Sequence, residues 1–503
     1  MLFNSFTFVV FFAIVYILYL CFQRKFRWQN WMLLVASYVF YGWWDWRFLS
    51  LIAISTVLDY TCGLKISESD NERRRKIFLW LSIVGNLSIL GFFKYFNFFI
   101  DNLDSLLGSV GIHVPFPVLK ILLPPGISFY TFQTICYTLD IYRKKMKPTR
   151  NAVDFALYVS FFPQLVAGPI ERAIRLLPQI AKPRTLKKDM ICQGAFLIYW
   201  GLFLKIFVAD NLGLIVDDIY GAGGGGEVFA GALMSGATSG DAVAAAATYN
   251  GALVLLATYA FAFQIFGDFA GYSYIAIGLA RLMGITLMDN FKRPYLSKDI
   301  SEFWRRWHIS LSSWFRDYIF SSYYMYLDRK KRFKNLSMRT RHNILFFISL
   351  MFAEILLGFW HGANWNFGLF GLYHGLLIWL YYTFRNLWDR MPFILQVFLT
   401  FHLVCFGWLI FRVHSLSQLW DMTYCLFFNF HVIPGIGLKI ILLKIIGFAG
   451  ILVMVQLIEW KKDDTLAVLK WFWPVQIFFY VLIFILTAMF GQFKERAFIY
   501  FQF

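Results

Sequence analysis

Two histidines are the side chains best suited to acid–base chemistry, His308 in RRWHISLS and His361 in FWHGANW. Imidazole titrates near neutrality and is the usual general base. His361 is the first polar side chain of an elbow, HGANWNF, between the apolar runs Ile344–Trp360 and Phe367–Thr383. Ionisable groups at membrane depth are costly and point to function. Gly362 beside it would let a substrate or chain approach closely. Glu354 lies two helical turns earlier, on nearly the same face. The plain alternative for either histidine is a core residue satisfied by a backbone carbonyl. His374 reads as a packing residue at a helix contact, and His113, His342, His402, His414 and His431 as structural residues in loops or at helix ends.

Among the acids, Asp268 sits deepest in an apolar stretch, between Gln264 and Gly271-Tyr272. Asp59 and Asp140 lie near the ends of apolar runs, as caps or ion-pair partners. Arg305 and Arg306 follow Glu302 at helical spacing, which suits surface ion pairs or a basic mouth for a polyanionic donor.

These residues must be positioned by membrane helices. The chain is 59% hydrophobic, 21% aromatic and only 15% charged, against about 25% charged in soluble domains. The net charge of +18 is spread over short loops between apolar runs. That is the pattern of membrane topology with some attraction to anionic lipid, and it argues against nucleic-acid binding. The six cysteines are scattered through apolar runs without metal or disulfide spacing.

A spanning helix needs roughly 20 apolar residues. The first run, Phe6–Phe22, precedes Arg24, Lys25 and Arg27, so the N-terminus is expected outside. Runs at 31–46, 49–63, 77–93 and 127–141 follow, with loops that alternate between basic and non-basic; 101–118 is one of the non-basic loops. Phe155–Pro169, with FFPQLVAGP, is too short to span comfortably and reads as re-entrant. After 195–208 comes 210–250, rich in Gly and Ala and free of Lys and Arg, expected as a flexible outside loop. Leu253–Phe266 is followed by a separate short stretch, Asp268–Met283. Lys292–Arg341 contains no spanning window and predicts short interfacial or packed helices, with Trp304, Trp307 and Trp314 at the boundary. Spans at 344–360, 367–383, 393–411, 440–458 and 475–490 complete the chain. The reading is a single all-α polytopic membrane domain over 1–503 with roughly ten to twelve embedded helices, including re-entrant and interfacial segments.

Several strings, in order, resemble the membrane-bound O-acyltransferase family, in its bacterial polysaccharide-acetylation branch, which includes alginate acetylation. They are LPPGISFYTFQTICYTLDIYR, FFPQLVAGPIER, QIFGDFAGYSYIAIG, NFKRPYLSKDISEFWRRWHISLSSWFRDY, GFWHGANWNFGLFGLYHG and VCFGWLIFR. The resemblance covers about 59–413, which it marks as the catalytic core, leaving 414–503 as extra C-terminal spans. It implies a ring of helices around a thin centre, with His361 catalytic and His308 the second functional position. A cytoplasmic tunnel would admit an acyl thioester, with acetyl-CoA the expected donor, and Trp304, Arg305, Arg306, Asn364, Asp268 and Glu354 are the expected tunnel residues. His308 would orient the donor or polarise its carbonyl. No metal or bound cofactor is expected. The partners would be the lipid bilayer, an extracytoplasmic acetyltransferase and a polysaccharide acceptor, at the bacterial inner membrane. Two alternatives stand: D-alanyl transfer to teichoic acid from a carrier protein, and a His/acid-relay transporter or flippase. The transporter should show inverted repeats, and none is visible.

Overall fold

The computed structural model describes residues 1–112, 114, 119, 121–221, 250–431, 436–493, 496, 498 and 499. His113 and most of the Gly/Ala-rich stretch, 222–249, lie outside them. Among the described residues there are helices, turns and no strands. Among the described residues, eight helices are long and apolar enough to cross a membrane. In hydrocarbon only a helix satisfies its own backbone polar groups within one segment, so long apolar runs become helices. The chain is an all-α, multi-pass membrane protein.

The chain divides into two compact units, 1–199 with 272–289, and 200–271 with 290–502. Helices of six residues or more are numbered here in chain order. The first unit contains α1 (Phe6–Cys21), α2 (Phe26–Gly42), α3 (Leu49–Glu68), α4 (Glu72–Leu90) and α5 (Phe96–Ser109). It continues with α6 (Ile127–Tyr142), α7 (Ala152–Ser160) and α8 (Ala173–Ile180). The unit boundary at 199/200 falls inside α9 (Lys188–Phe203).

Asp59 is neither an exposed cap nor an ion-pair partner. It is fully buried on α3 and accepts hydrogen bonds from Ser82 Oγ (2.5 Å) and Asn86 Nδ2 (2.8 Å) of α4. Neutral donors from the next helix satisfy the carboxyl at a depth where water cannot. Residues 155–169 form no span: α7 is followed by a single turn, Phe162–Leu165, with Pro163 inside it. The freed carbonyl of Tyr158 is satisfied by Gln133 Nε2 (2.6 Å) and Gln164 Nε2 (3.0 Å).

The second unit carries the candidate residues. Its helices are α10 (Asp210–Tyr220), α11 (Gly251–Leu282, in this unit as far as 271), α12 (Ile300–Arg306), α13 (Ile309–Trp314) and α14 (Ser321–Asp328). Then come α15 (Met338–His361), α16 (Trp365–Thr383), α17 (Phe393–Arg412), α18 (Leu416–Phe428), α19 (Ile436–Lys462) and α20 (Trp473–Phe490).

Four expectations need correction. The loop expected from 101 begins later, because α5 runs on to Ser109. The outside loop does not begin at 210, because Asp210–Tyr220 is helical and mostly buried. Leu253–Phe266 and Asp268–Met283 are one helix of 32 residues, α11. Its glycines are contact points and not breaks: a Cβ on Gly271 would sit 2.8 Å from the carbonyl oxygen of Gly201. Small residues let membrane helices approach closely. Finally, α18 has no counterpart in the expected spans. Its 13 residues are too few to cross, and they leave Trp420, Tyr424 and Phe428 exposed.

Candidate active site

The elbow at His361 is held by a tight helical hairpin. A Cβ on Gly371 of α16 would lie 2.1 Å from the carbonyl oxygen of Glu354 on α15, and one on Gly358 would lie 2.1 Å from the carbonyl oxygen of Phe367. Only glycine permits that backbone approach. The space beside Gly362 is filled from within: a Cβ there would lie 2.1 Å from the ring of Phe367. Of the substrate or chain that sequence let approach Gly362, it is the chain, through Phe367, that fills the space. His361 ends α15 and is 5% exposed. Its ring lies 5.2 Å from that of Phe411, 5.9 Å from Phe370 and 4.9 Å from Trp360.

His308 is fully buried between α12 and α13 with a left-handed backbone, φ 42°. A non-glycine residue there costs free energy, and such strain clusters at functional sites. Asn290 holds it. Asn290 Oδ1 accepts from the backbone N–H of Ser310 (3.2 Å) and from Ser310 Oγ (2.9 Å), and it lies 3.1 Å from His308 Nδ1. An acceptor at Nδ1 places the proton there and leaves the lone pair on Nε2. Burial pushes the His308 pKa well below the usual histidine value, so the ring is neutral near pH 7. The ring also meets Phe269 edge-on at 4.5 Å and Trp360 at 5.8 Å. Trp360 thus packs against both histidines, although they are far apart in sequence.

Beside them is a cavity of about 450 Å³. Its rim carries Arg305 and Arg316, and its buried wall includes Trp304, Leu350 and Leu357. Ser312, Ser313 and Glu354 supply polar lining. Ile309, next to His308, and Leu357, one turn before His361, are also in the wall. The histidines themselves are not. Glu354 Oε2 is buried without a hydrogen-bond partner among the described residues.

Of the six expected tunnel residues, Trp304, Arg305 and Glu354 line this cavity. Arg306 instead pairs with Glu302 at 2.7 Å, as the surface ion-pair reading expects. Asn364 donates from Nδ2 to the carbonyl of His414 at 3.3 Å. Asp268 belongs to a buried ion cluster: Lys205 Nζ lies 2.7 Å from its Oδ1 and 2.9 Å from Asp210 Oδ1, and the backbone N–H of Ile499 donates to its Oδ2 at 2.7 Å. A countercharge stabilises an ionised acid in a span, and the π-helical turn Leu204–Ala209 presents Lys205 to Asp268 and Asp210. Sequence reasoning missed Asn290. The available signal was its place at the head of NFKRPYLS, but nothing in the string shows that its side chain folds back onto His308.

No family model matches the chain. Curated proteins do. The chain is 39% identical, over 80% of its own length and 73% of the other's, to a protein named a probable alginate O-acetylase in Azotobacter vinelandii. It is 31% identical, over 77% and 71%, to a peptidoglycan O-acetyltransferase of Helicobacter pylori. It is 33% identical, over 57% and 68%, to a teichoic acid D-alanyltransferase of Bacillus subtilis.

Proposed function

The chain belongs to the membrane-bound O-acyltransferase family and is an acyltransferase, and we propose that it carries an acetyl group from a cytoplasmic thioester to a hydroxyl outside the membrane. The observation that carries the reading is the packing of His308 and His361 on Trp360, beside a cavity with a basic rim and an apolar wall.

The donor would enter the cavity with its phosphates at Arg305 and Arg316, which suit anions, while Glu354 accepts an amide N–H of the donor's arm. His361 is the general base. It takes the proton of the acceptor hydroxyl as that oxygen attacks the thioester carbonyl. The tetrahedral intermediate collapses, the C–S bond breaks, and the departing sulfur takes the proton back from His361. An ester and a free thiol result. The neutral His308, with its Nδ1–H engaged by Asn290, has no N–H to offer an oxyanion. Its role is therefore to accept at Nε2 a hydrogen bond from an N–H or O–H beside the reacting hydroxyl, whose own proton goes to His361; of the two roles expected from sequence, orienting the donor or polarising its carbonyl, this reading keeps an orienting one.

The relatives act, by name, on alginate, peptidoglycan and teichoic acid. By that likeness the acceptor is a hydroxyl of an extracytoplasmic polysaccharide, or a serine of a partner that delivers the group to it. The membrane would be the bacterial inner membrane with the N-terminus outside, as the basic loops suggest. The likeness to a D-alanyltransferase keeps a second reading, in which the donor is a carrier protein bearing D-alanine.

Purified protein in proteoliposomes, given a bacterial polysaccharide extract, separates the two. Label moving from radiolabelled acetyl-CoA to polymer supports acetyl transfer. Label moving only from a D-alanyl carrier protein supports the second reading, and transfer from neither contradicts both.

A further inference from the structure

His374, which sequence alone leaves as a packing residue, touches the cavity through Trp304. Trp304 Nε1 donates to His374 Nδ1 at 3.3 Å, and the two rings meet edge-on with centroids 5.1 Å apart. His374 is 1% exposed. An acceptor role at Nδ1 puts its proton on Nε2. The room for that nitrogen comes from α17: a Cβ on Gly407 would lie 2.4 Å from His374 Nε2. Three helices, α12, α16 and α17, therefore fix one indole.

That indole occupies a decisive place. Arg305 and Arg316 are exposed at the rim, whereas Trp304 is buried in the wall. Behind Trp304 stands Phe370, ring to ring at 6.2 Å, and Phe370 in turn lies 5.9 Å from His361. Through Phe370, Trp304 is the part of the cavity wall that backs onto the rings around His361.

Resting on the reading above, we infer that Trp304 is the stop that limits the acyl chain to a short one, and that His374 is the positioning residue that holds it. An indole hydrogen-bonded on its far edge cannot swing aside for extra methylenes. Excluding one methylene from a fitted apolar pocket is worth roughly 10–200-fold in selectivity, so a fixed wall gives strong preference for acetyl over longer groups.

The test compares acetyl-, butyryl- and octanoyl-CoA as donors to the same polysaccharide extract in proteoliposomes. The variants are Trp304→Ala, Trp304→Leu, His374→Ala and His374→Gln, each checked for folding by size-exclusion chromatography and thermal melting. Trp304→Ala should raise the octanoyl-to-acetyl ratio of kcat/KM by about tenfold or more. Trp304→Leu keeps a side chain nearer in volume to the indole and serves if the alanine variant fails to fold; it should shift the ratio the same way. His374→Ala should loosen selectivity in the same direction, and His374→Gln, whose carbonyl oxygen can accept the indole N–H, should restore it. Rescue by glutamine separates positioning from packing. Folded Trp304 variants that keep the wild-type ratio, or that transfer nothing from any donor, overturn the inference while leaving acetyl transfer by the wild type intact. A wild type that transfers from none of the three acyl-CoA donors overturns the acetyl-transfer reading on which the inference rests.

Discussion

At His308 the backbone is held at φ 42° and the ring is held at its Nδ1 by Asn290. The arrangement fixes one tautomer of a neutral base. Asn290→Leu should therefore lower kcat by about 10–100-fold with little change in donor KM, by freeing the ring without removing it, since misplacement of about an ångström can cost about 100-fold. Unchanged kcat in a folded Asn290→Leu enzyme contradicts the assignment. Burial also ties His308 to pH. A histidine kept neutral in the fold but protonated when unfolded contributes stability above its ordinary value of about 6.5, and that stability is lost as pH falls below it. Thermal melts should show wild type losing stability between about pH 6.5 and 5, with His308→Gln losing less. The cavity rim has its own signature: Arg305→Gln with Arg316→Gln should raise KM for acetyl-CoA several-fold while kcat holds, because charge at a rim binds donor without touching the reacting atoms.

At the scale of elements, the hairpin of α15 and α16 holds the elbow by backbone contact. Gly371→Leu forces apart a contact in which a Cβ would lie 2.1 Å from the Glu354 carbonyl oxygen, and it should cost about 1–3 kcal/mol of stability in detergent. A folded variant as stable as wild type would show that the helices separate freely. Lys205 presents the opposite case, since its removal strands Asp210 and Asp268. Lys205→Met alone should cost about 3–5 kcal/mol, and adding Asp210→Asn with Asp268→Asn should recover much of it. The helices that matter here were largely legible as apolar runs, and the elbow was legible as a polar break between two of them. What stayed hidden depended on side chains meeting across sequence. Gly362 offers room to a substrate or to the chain, and only the fold shows that Phe367 fills it. Asp268, expected in the tunnel, instead meets Lys205, which the string does not show. His374 looked inert because its partner, Trp304, lies in another helix. Helix α18 was missed because 13 residues fall short of a span.

Across the whole molecule, the buried face of the second unit is rich in rings, with polar groups set among them. Its buried ionisable groups include His308, His361, His374, Arg293, Asp299, Glu459 and the Lys205 cluster, and Glu354 lines the cavity. His308 and His361 both pack on Trp360. The strings that resemble the acyltransferase family single out His361 and His308 as candidates; the cavity wall, the hydrogen bonding of His308 and the Trp304–His374 bond needed the folded chain. The central claim is that His361 removes the acceptor's proton. It is tested most directly by single-turnover transfer from radiolabelled acetyl-CoA in proteoliposomes, comparing wild type with His361→Ala at matched folding. The account predicts a loss of about 10²–10⁴-fold in the chemical step with donor binding retained. A folded His361→Ala enzyme that transfers acetyl at the wild-type rate would contradict it.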